Sequence, residues 1–278
     1  MISRVFVYTL WPEVNESSYI GLMTDFLKMH GCGNDFIVID ARKTDMRNLL
    51  SNPSMISMLC DRHIGIGCDQ LIVIGPTGKA DVEMIIRNAD GSTAGMCGNA
   101  VRCVADIIIK ETSRKTVTIL VGDRLLECAG AGDLVTVDMG APAKTGTADV
   151  GLDLNEAITV DVGNPHAVFF VDDADAIDLQ GIGPKIEHHK LFPNRINVEF
   201  VSKRQDGLRM RVWERGAGIT LACGSGACAT AYAAFAQGHA GRKTRIHMDG
   251  GTLNLEIREG DGHILMTGPV TYVFKGSF

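Results

Sequence analysis

A turn-and-helix pattern carrying a Cys-Gly pair occurs twice in this chain, and it limits the possible folds more than any other feature. Met96-Cys97-Gly98-Asn99-Ala100-Val101-Arg102-Cys103 is echoed by Ala222-Cys223-Gly224-Ser225-Gly226-Ala227-Cys228. Before the first copy, an apolar run at 81–86 passes through Arg87-Asn88-Ala89-Asp90-Gly91; after it comes a helix-forming run from Ala100 to Lys110. Before the second, a run at 208–213 passes through Glu214-Arg215-Gly216-Ala217-Gly218, and Ala227 to Gln237 follows. A Gly-Asn pair, Gly33-Asn34 or Gly163-Asn164, precedes each copy at nearly the same distance in sequence. The pattern predicts an internal duplication with one cysteine per half at the same structural place.

A thiol at the start of a helix has a distinctive environment. Unpaired N–H groups and the helix dipole favour an anion there, so the thiol is expected below its free pKa of about 8.5. The same N–H groups can hold a carboxylate. Two such thiols facing one site would supply an acid and a base of equal kind, which suits removing a proton from one face of a carbon and returning it to the other.

The 278 residues allow two ordinary domains, and 45% hydrophobic with 22% charged residues describes a globular protein. A net charge of −6 and the lack of a basic run argue against nucleic-acid binding. No apolar stretch nears the roughly 18 residues of a membrane span, so no membrane partner is expected. The eight cysteines include no C-x-x-C pair, which predicts neither a zinc site nor a disulfide framework and fits a reducing, cytoplasmic setting. Cys60 and Cys68 read as packed thiols. Residues 1–22 lack the charge pattern and cleavage site of a signal peptide and read as an extension peripheral to function.

Strands are expected at 26–29, 36–40, 71–74, 81–86, 116–121, 124–128 and 134–138 in the first half. In the second they are expected at 158–162, 167–171, 195–201, 208–213, 244–249, 252–258, 263–268 and 272–274. A helix is expected over 53–62, capped by Asn52 or Ser51. Residues 141–146 read as a linker, and 172–190 as polar and partly helical. Gly65 and Gly67 do not make a dinucleotide motif, since the third glycine is missing and a strand follows. The second Cys-Gly helix has almost no polar face, and the first reads as apolar through Ile109; each should be buried all round. The fold class expected is α+β: two pseudo-symmetric halves, each a curved, mostly antiparallel sheet wrapped around a central helix. The halves are drawn at 23–141 and 142–267, with 268–278 returning to the first.

The segments HGCGNDFIVID, DRHIGIGCDQ, NADGSTAGMCGNAVRC, GNPHAVFFV, RINVEFV and WERGAGITLACGSGACATA resemble those of the diaminopimelate epimerases, and nearly the whole chain from Met23 fits. The resemblance implies a cofactor-independent, metal-free epimerase that interconverts LL- and meso-diaminopimelate for lysine and cell-wall synthesis, working as a homodimer. It places Cys97 and Cys223 on the two catalytic thiols. It puts Asn34, Gln70, Asn88, Asn164, Asn197, Glu214 and Arg215 on substrate-binding positions, with Gly98-Asn99 and Gly224-Ser225 holding the reacting carboxylate through backbone N–H groups. Departures are Ala100 where glycine is frequent, Ile219 where glutamate is frequent and Ser225 in place of threonine; they bear on affinity more than activity.

For the substrate with two amino-acid ends that the resemblance implies, Arg215 offers a bidentate grip for the distal carboxylate, and Glu214 and the amide carbonyls offer acceptors for ammonium groups. His166 is a candidate for tuning a thiol. Alternatives are a related two-thiol racemase acting on proline, hydroxyproline or a glutamate-like substrate, a thiol redox protein, and a non-catalytic amino-acid binder.

Overall fold

Strand Gln70–Gly75 is apolar and buried from Leu71 onward because both of its faces are covered. Ile72 and Ile74 join the core around a central helix, Gly98–Thr112, while Leu71 and Val73 join a separate cluster under an outer helix, Pro53–Cys60. Strand Val82–Asn88 alternates instead, with Val82, Met84 and Ile86 buried against the central helix. The second half repeats the scheme. Val198 and Phe200 pack outward under the helix Leu179–Glu187, and Val201 packs inward near the second central helix, Gly224–Ala236. This computed structural model describes residues 23–278, so the expected extension at 1–22 lies outside the described residues.

Among the described residues all the strands belong to one seventeen-stranded sheet. In the first half the hydrogen-bonded order is Thr271–Ser277, Asp25–Gly31, Asn34–Asp40, Gln70–Gly75, Val82–Asn88, Thr116–Val121, Arg124–Ala131, Leu134–Asp138. The second half runs Ala143–Ala148, Ala157–Asp161, Pro165–Phe170, Asn197–Arg204, Gly207–Glu214, Lys243–Met248, Gly251–Ile257, Ile264–Pro269. Gly218–Ile219 adds a short pairing to Gly207–Glu214. Parallel pairs fall at the same places in both orders, the third with the fourth strand and the fifth with the sixth. The halves meet where Leu134–Asp138 pairs antiparallel with Ile264–Pro269, Met266 standing opposite Val137. Beside that pair the Thr136 and Thr267 hydroxyls are 2.8 Å apart.

Several local expectations shift. Residues 141–146 are not a free linker, since Ala143–Ala148 pairs with Ala157–Asp161 at a sheet edge, where Pro142 can precede a strand without breaking a ladder. The outer helix stops at Cys60 instead of 62 because Asp61 is extended and its Oδ1 accepts from the N–H groups of His63 and Ile64. Its start follows the sequence, with Asn52 Oδ1 accepting from Met55 N at 3.1 Å and Pro53 in the first turn. A four-residue helix, Arg47–Leu50, was not foreseen. Both central helices begin earlier than their apolar runs suggest, at Gly98 and Gly224, which makes each cysteine the N-cap. Among the described residues no helix is long and apolar enough to cross a membrane.

Candidate active site

The two cysteines hold matching backbone positions, extended at φ −146°, ψ 103° for Cys97 and φ −122°, ψ 110° for Cys223. The glycine after each is needed for close approach. A Cβ on Gly98 would stand 2.6 Å from Met266 Cε, and one on Gly224 would stand 3.2 Å from Met266 Sδ and 3.3 Å from Asn99 Oδ1. Both helix N-termini therefore converge on Met266, the fully buried residue at the junction of the halves. Sequence distance had kept them apart; the sheet junction brings them together.

On the first half, Asn34 opens the strand Asn34–Asp40, just after the turn at Cys32-Gly33. Its Oδ1 is 3.4 Å from Cys97 Sγ and accepts from Asn99 Nδ2 at 3.2 Å. Its Nδ2 donates to Asp69 at 2.9 Å. Asp69 is held in turn by Arg62 (2.7 Å), which also grips Asp35, and Lys28 completes this cluster at 2.6 Å from Asp35. The cations keep the Asp35 carboxyl at about 2 despite the opposing effect of its burial. Gln70 and Asn88 stand opposite each other in register, with Gln70 Nε2 donating to Asn88 Oδ1 at 3.0 Å. Gln70 Oε1 is buried with no hydrogen-bond partner among the described residues.

On the second half, Asn197 and Glu214 occupy the corresponding pair of positions. Asn197 donates to the Pro165 carbonyl (2.9 Å) and accepts from the Arg215 backbone N–H (2.9 Å). Glu214 accepts from the Thr220 hydroxyl at 2.5 Å. Arg215 is at the exposed rim, its guanidinium donating to the Asn194 carbonyl at 3.3 Å. Cys223 Sγ accepts from Gly226 N at 3.4 Å and lies 3.5 Å from Ser225 Oγ. From there a chain runs inward: Asn164 Nδ2 to Ser225 Oγ (3.3 Å), His166 Nε2 to Asn164 Oδ1 (3.1 Å), His166 Nδ1 to Glu199 Oε1 (2.6 Å). His166 and Glu199 are fully buried. His166 thus reaches Cys223 through Asn164 and Ser225 and does not touch the thiol.

The expectation of lowered thiol pKa values is overturned. Burial pushes the Cys97 thiol up to about 11, although the N–H groups of Asn99 and Ala100 pull the other way. Burial also drives the Cys223 thiol well above its ordinary range, with Glu214 and Glu199 adding repulsion against the helping Ser225 and Gly226. Two or three amide dipoles do not replace the hydration a thiolate loses in an apolar core. Burial also holds the Glu214 carboxyl above the ordinary carboxylate range.

Asp69, Thr220, Glu199 and Met266 were missed by the sequence reading. Asp69 stands beside Gln70, but the others carry no local signal. The first central helix, expected to be apolar through Ile109, holds Arg102 fully buried. Cys60 and Cys68 are buried with sulfurs 3.4 Å apart. Among the described residues no group of three His, Cys, Asp or Glu side chains could hold a metal ion. Two clefts of about 570 and 510 Å³ lie away from the thiols, near Lys203–Gly207 and near Asp81 and Arg114.

The family model for diaminopimelate epimerase matches residues 26–145 and 158–273. A diaminopimelate epimerase of Rhodospirillum centenum is 48% identical over 269 residues, covering 90% of this chain and 91% of that protein. One from Methanococcus maripaludis is 45% identical over 275 residues, covering 90% and 98%. Among solved structures, a Bacillus anthracis phenazine biosynthesis protein of the PhzF family superposes with a TM-score of 0.71 at 13% identity, covering 93% of this chain and 99% of that one. A hydroxyproline epimerase from Agrobacterium vitis gives 0.65 at 16%, covering 91% of each. At such identities the structures share the fold alone. The sequence matches run through both Cys-Gly turns and nearly the whole described chain, and on them the chain belongs to the diaminopimelate epimerase family.

Proposed function

We propose that this chain is an isomerase that interconverts LL- and meso-diaminopimelate by two-base proton transfer without a cofactor. The observation that carries the reading is the convergence of two cysteine-capped helix N-termini on Met266, in a chain of this family. One thiolate takes the α-hydrogen as a proton, leaving its electron pair on the carbon, and the opposing thiol gives its own proton to the other face. A thiolate with a raised pKa is scarce but is a stronger base, which suits a very weak carbon acid. Charge growing on the reacting carboxylate is met by the N–H groups of Gly98-Asn99 and Gly224-Ser225, each well-placed donor contributing about 3 kcal/mol.

In this reading Asn34, Gln70, Asn88, Asn164 and Asn197 bind the substrate's amino and carboxylate groups, and Glu214 accepts from an ammonium. Arg215 swings from the rim to grip the distal carboxylate, and His166 holds Asn164 and Ser225 in place for Cys223. The halves 23–141 with 268–278, and 142–267, act as two units that close on substrate and exclude water. We place the enzyme in the cytoplasm as a homodimer.

The test is turnover of LL-diaminopimelate in D₂O with no added cofactor. Early product should carry deuterium at the inverted carbon while unreacted substrate stays unlabelled. Absence of turnover would reject the substrate, and early transfer of the original protium into product would reject two separate bases.

A further inference from the structure

Glu187 ends the outer helix of the second half, Leu179–Glu187, and is buried. A carboxylate there is unfavourable on two counts: burial strips its water, and a helix C-terminus is the negative end of the dipole. Hydrogen bonds offset this. Its Oε2 accepts from Trp213 Nε1 at 2.7 Å, and its Oε1 from the backbone N–H of Gly216 at 2.9 Å. Arg195 Nη1 lies 3.6 Å from Oε1, and the His188 ring 4.0 Å from Oε2. The same helix clears space for the indole, since a Cβ on Gly183 would stand 2.5 Å from Trp213.

The bond to Gly216 falls one residue past Arg215, whose own N–H is taken by Asn197. Two consecutive N–H groups of this turn are thus held by side chains from other elements. Arg195, in the left-handed conformation at φ 60°, follows Asn194, whose carbonyl receives the Arg215 guanidinium. Glu187 therefore meets both the turn that bears Arg215 and the loop on which its guanidinium rests. The corresponding turn of the first half closes with the same backbone bond, Gly91 N to Asn88 O at 2.9 Å matching Ala217 N to Glu214 O at 3.1 Å. It carries Ala89 in place of Arg215. It meets its outer helix by close backbone approach, a Cβ on Gly91 standing 2.5 Å from the Pro53 carbonyl oxygen. The carboxylate grip goes with the turn that bears a guanidinium.

We infer that Glu187 is a positioning residue for Arg215: it fixes the turn's backbone so that only the side chain moves, and thereby sharpens selection for a substrate with a second carboxylate. The inference rests on the reading of Arg215 as the grip on the distal carboxylate and adds what holds that grip in place.

Glu187→Gln has the same size but must turn its NH₂ toward one of the two donors, so one bond is lost. The variant should raise KM for diaminopimelate about fivefold with kcat nearly unchanged. Glu187→Asp, which keeps the charge but draws back from Gly216, should show the same split. Glu187→Gln combined with Arg215→Lys should raise KM no further than Arg215→Lys alone, because one residue acts through the other. An unchanged KM, or additive losses in the double variant, would overturn the inference. Trypsin digestion of the native full chain reads the turn without turnover. Cleavage after Arg215 should quicken about tenfold in Glu187→Gln, with cleavage after the exposed Arg47 of the first half unmoved. No change at Arg215, or equal acceleration at both sites, would reduce Glu187 to a packing residue. Failure of the parent on LL-diaminopimelate would sink the epimerase reading, while the digestion would still decide whether Glu187 holds the turn.

Discussion

Gln70 and Asn88 in the first half, Asn197 and Glu214 in the second, occupy corresponding positions on corresponding strands, yet only the second pair carries a charge. The same contrast recurs deeper. Apolar Ile72 lines the inner face of the first sheet where Glu199 lines the second, and Arg102 in one central helix answers to Cys228 in the other. A duplicated backbone has put two thiols in equivalent geometry, and substitution around them has made the surroundings unlike: Glu214 repels charge at both thiols, and Glu199 adds to it at Cys223. Equivalence of geometry is what proton transfer on both faces of one carbon requires.

The comparison breaks first at the thiols. Cys97→Ala and Cys223→Ala should each lower kcat about 10²–10⁴-fold while the circular dichroism spectrum is unchanged. If either variant keeps most of its rate, the halves are not equal partners in catalysis.

The glycines come next. Gly98→Ala and Gly224→Ala should each cost up to about 10²-fold in kcat/KM, because a displaced helix N-terminus misplaces the carboxylate cradle. Adding Met266→Ala should restore Gly98→Ala more than Gly224→Ala, since it removes a 2.6 Å clash from the first and only a 3.2 Å contact from the second, with Met139 and Asn99 left beside each. Equal rescue, read from kcat/KM of the double variants, would remove Met266 from its place between the two helices.

Arg215→Lys keeps the charge and loses the planar fork, so KM should rise about tenfold with a smaller change in kcat. An unchanged KM would leave Arg215 as a rim residue and move recognition of the distal carboxylate elsewhere.

The smallest effect is on stability. Cys97 is protonated more tightly in the folded chain, at about 11, than at its ordinary value of 9.0. Its contribution is fully present below pH 9 and is lost as pH rises from 9 to 11, by at most about 1.4 kcal/mol per pH unit. Urea midpoints between pH 8 and 11 should fall less steeply in Cys97→Ala, and likewise in Cys223→Ala, whose thiol is also raised by burial. Slopes equal to the parent's would mean the buried thiols do not resist ionisation.

Much of the frame is legible in the chain itself. Alternation and turn residues mark most strands to within a residue or two, Asn52-Pro53 marks a helix start, and the repeated Cys-Gly turns mark two equivalent helices. The errors are local: Ala143–Ala148 offers too little apolar pattern to announce a strand, and the central helices begin at glycines that propensity alone would not choose. The Asn34 and Asn164 positions could be read from the repeat, but not that Asn34 would accept from Cys97 and Asn99 while Asn164 would link Ser225 to His166.

By itself the sequence determined the duplication, the family, the two thiols and their place at helix N-termini, because short-range pattern fixes those. Tertiary structure decided that both N-termini close on Met266, that Arg102 is buried with two of its nitrogens unpartnered among the described residues, that Glu199 points inward beside His166, and that the thiols are harder to ionise than free ones. Each of these depends on which distant atoms exclude water from a group. Desolvation is set by packing across the whole sheet, and no window of neighbouring residues contains it.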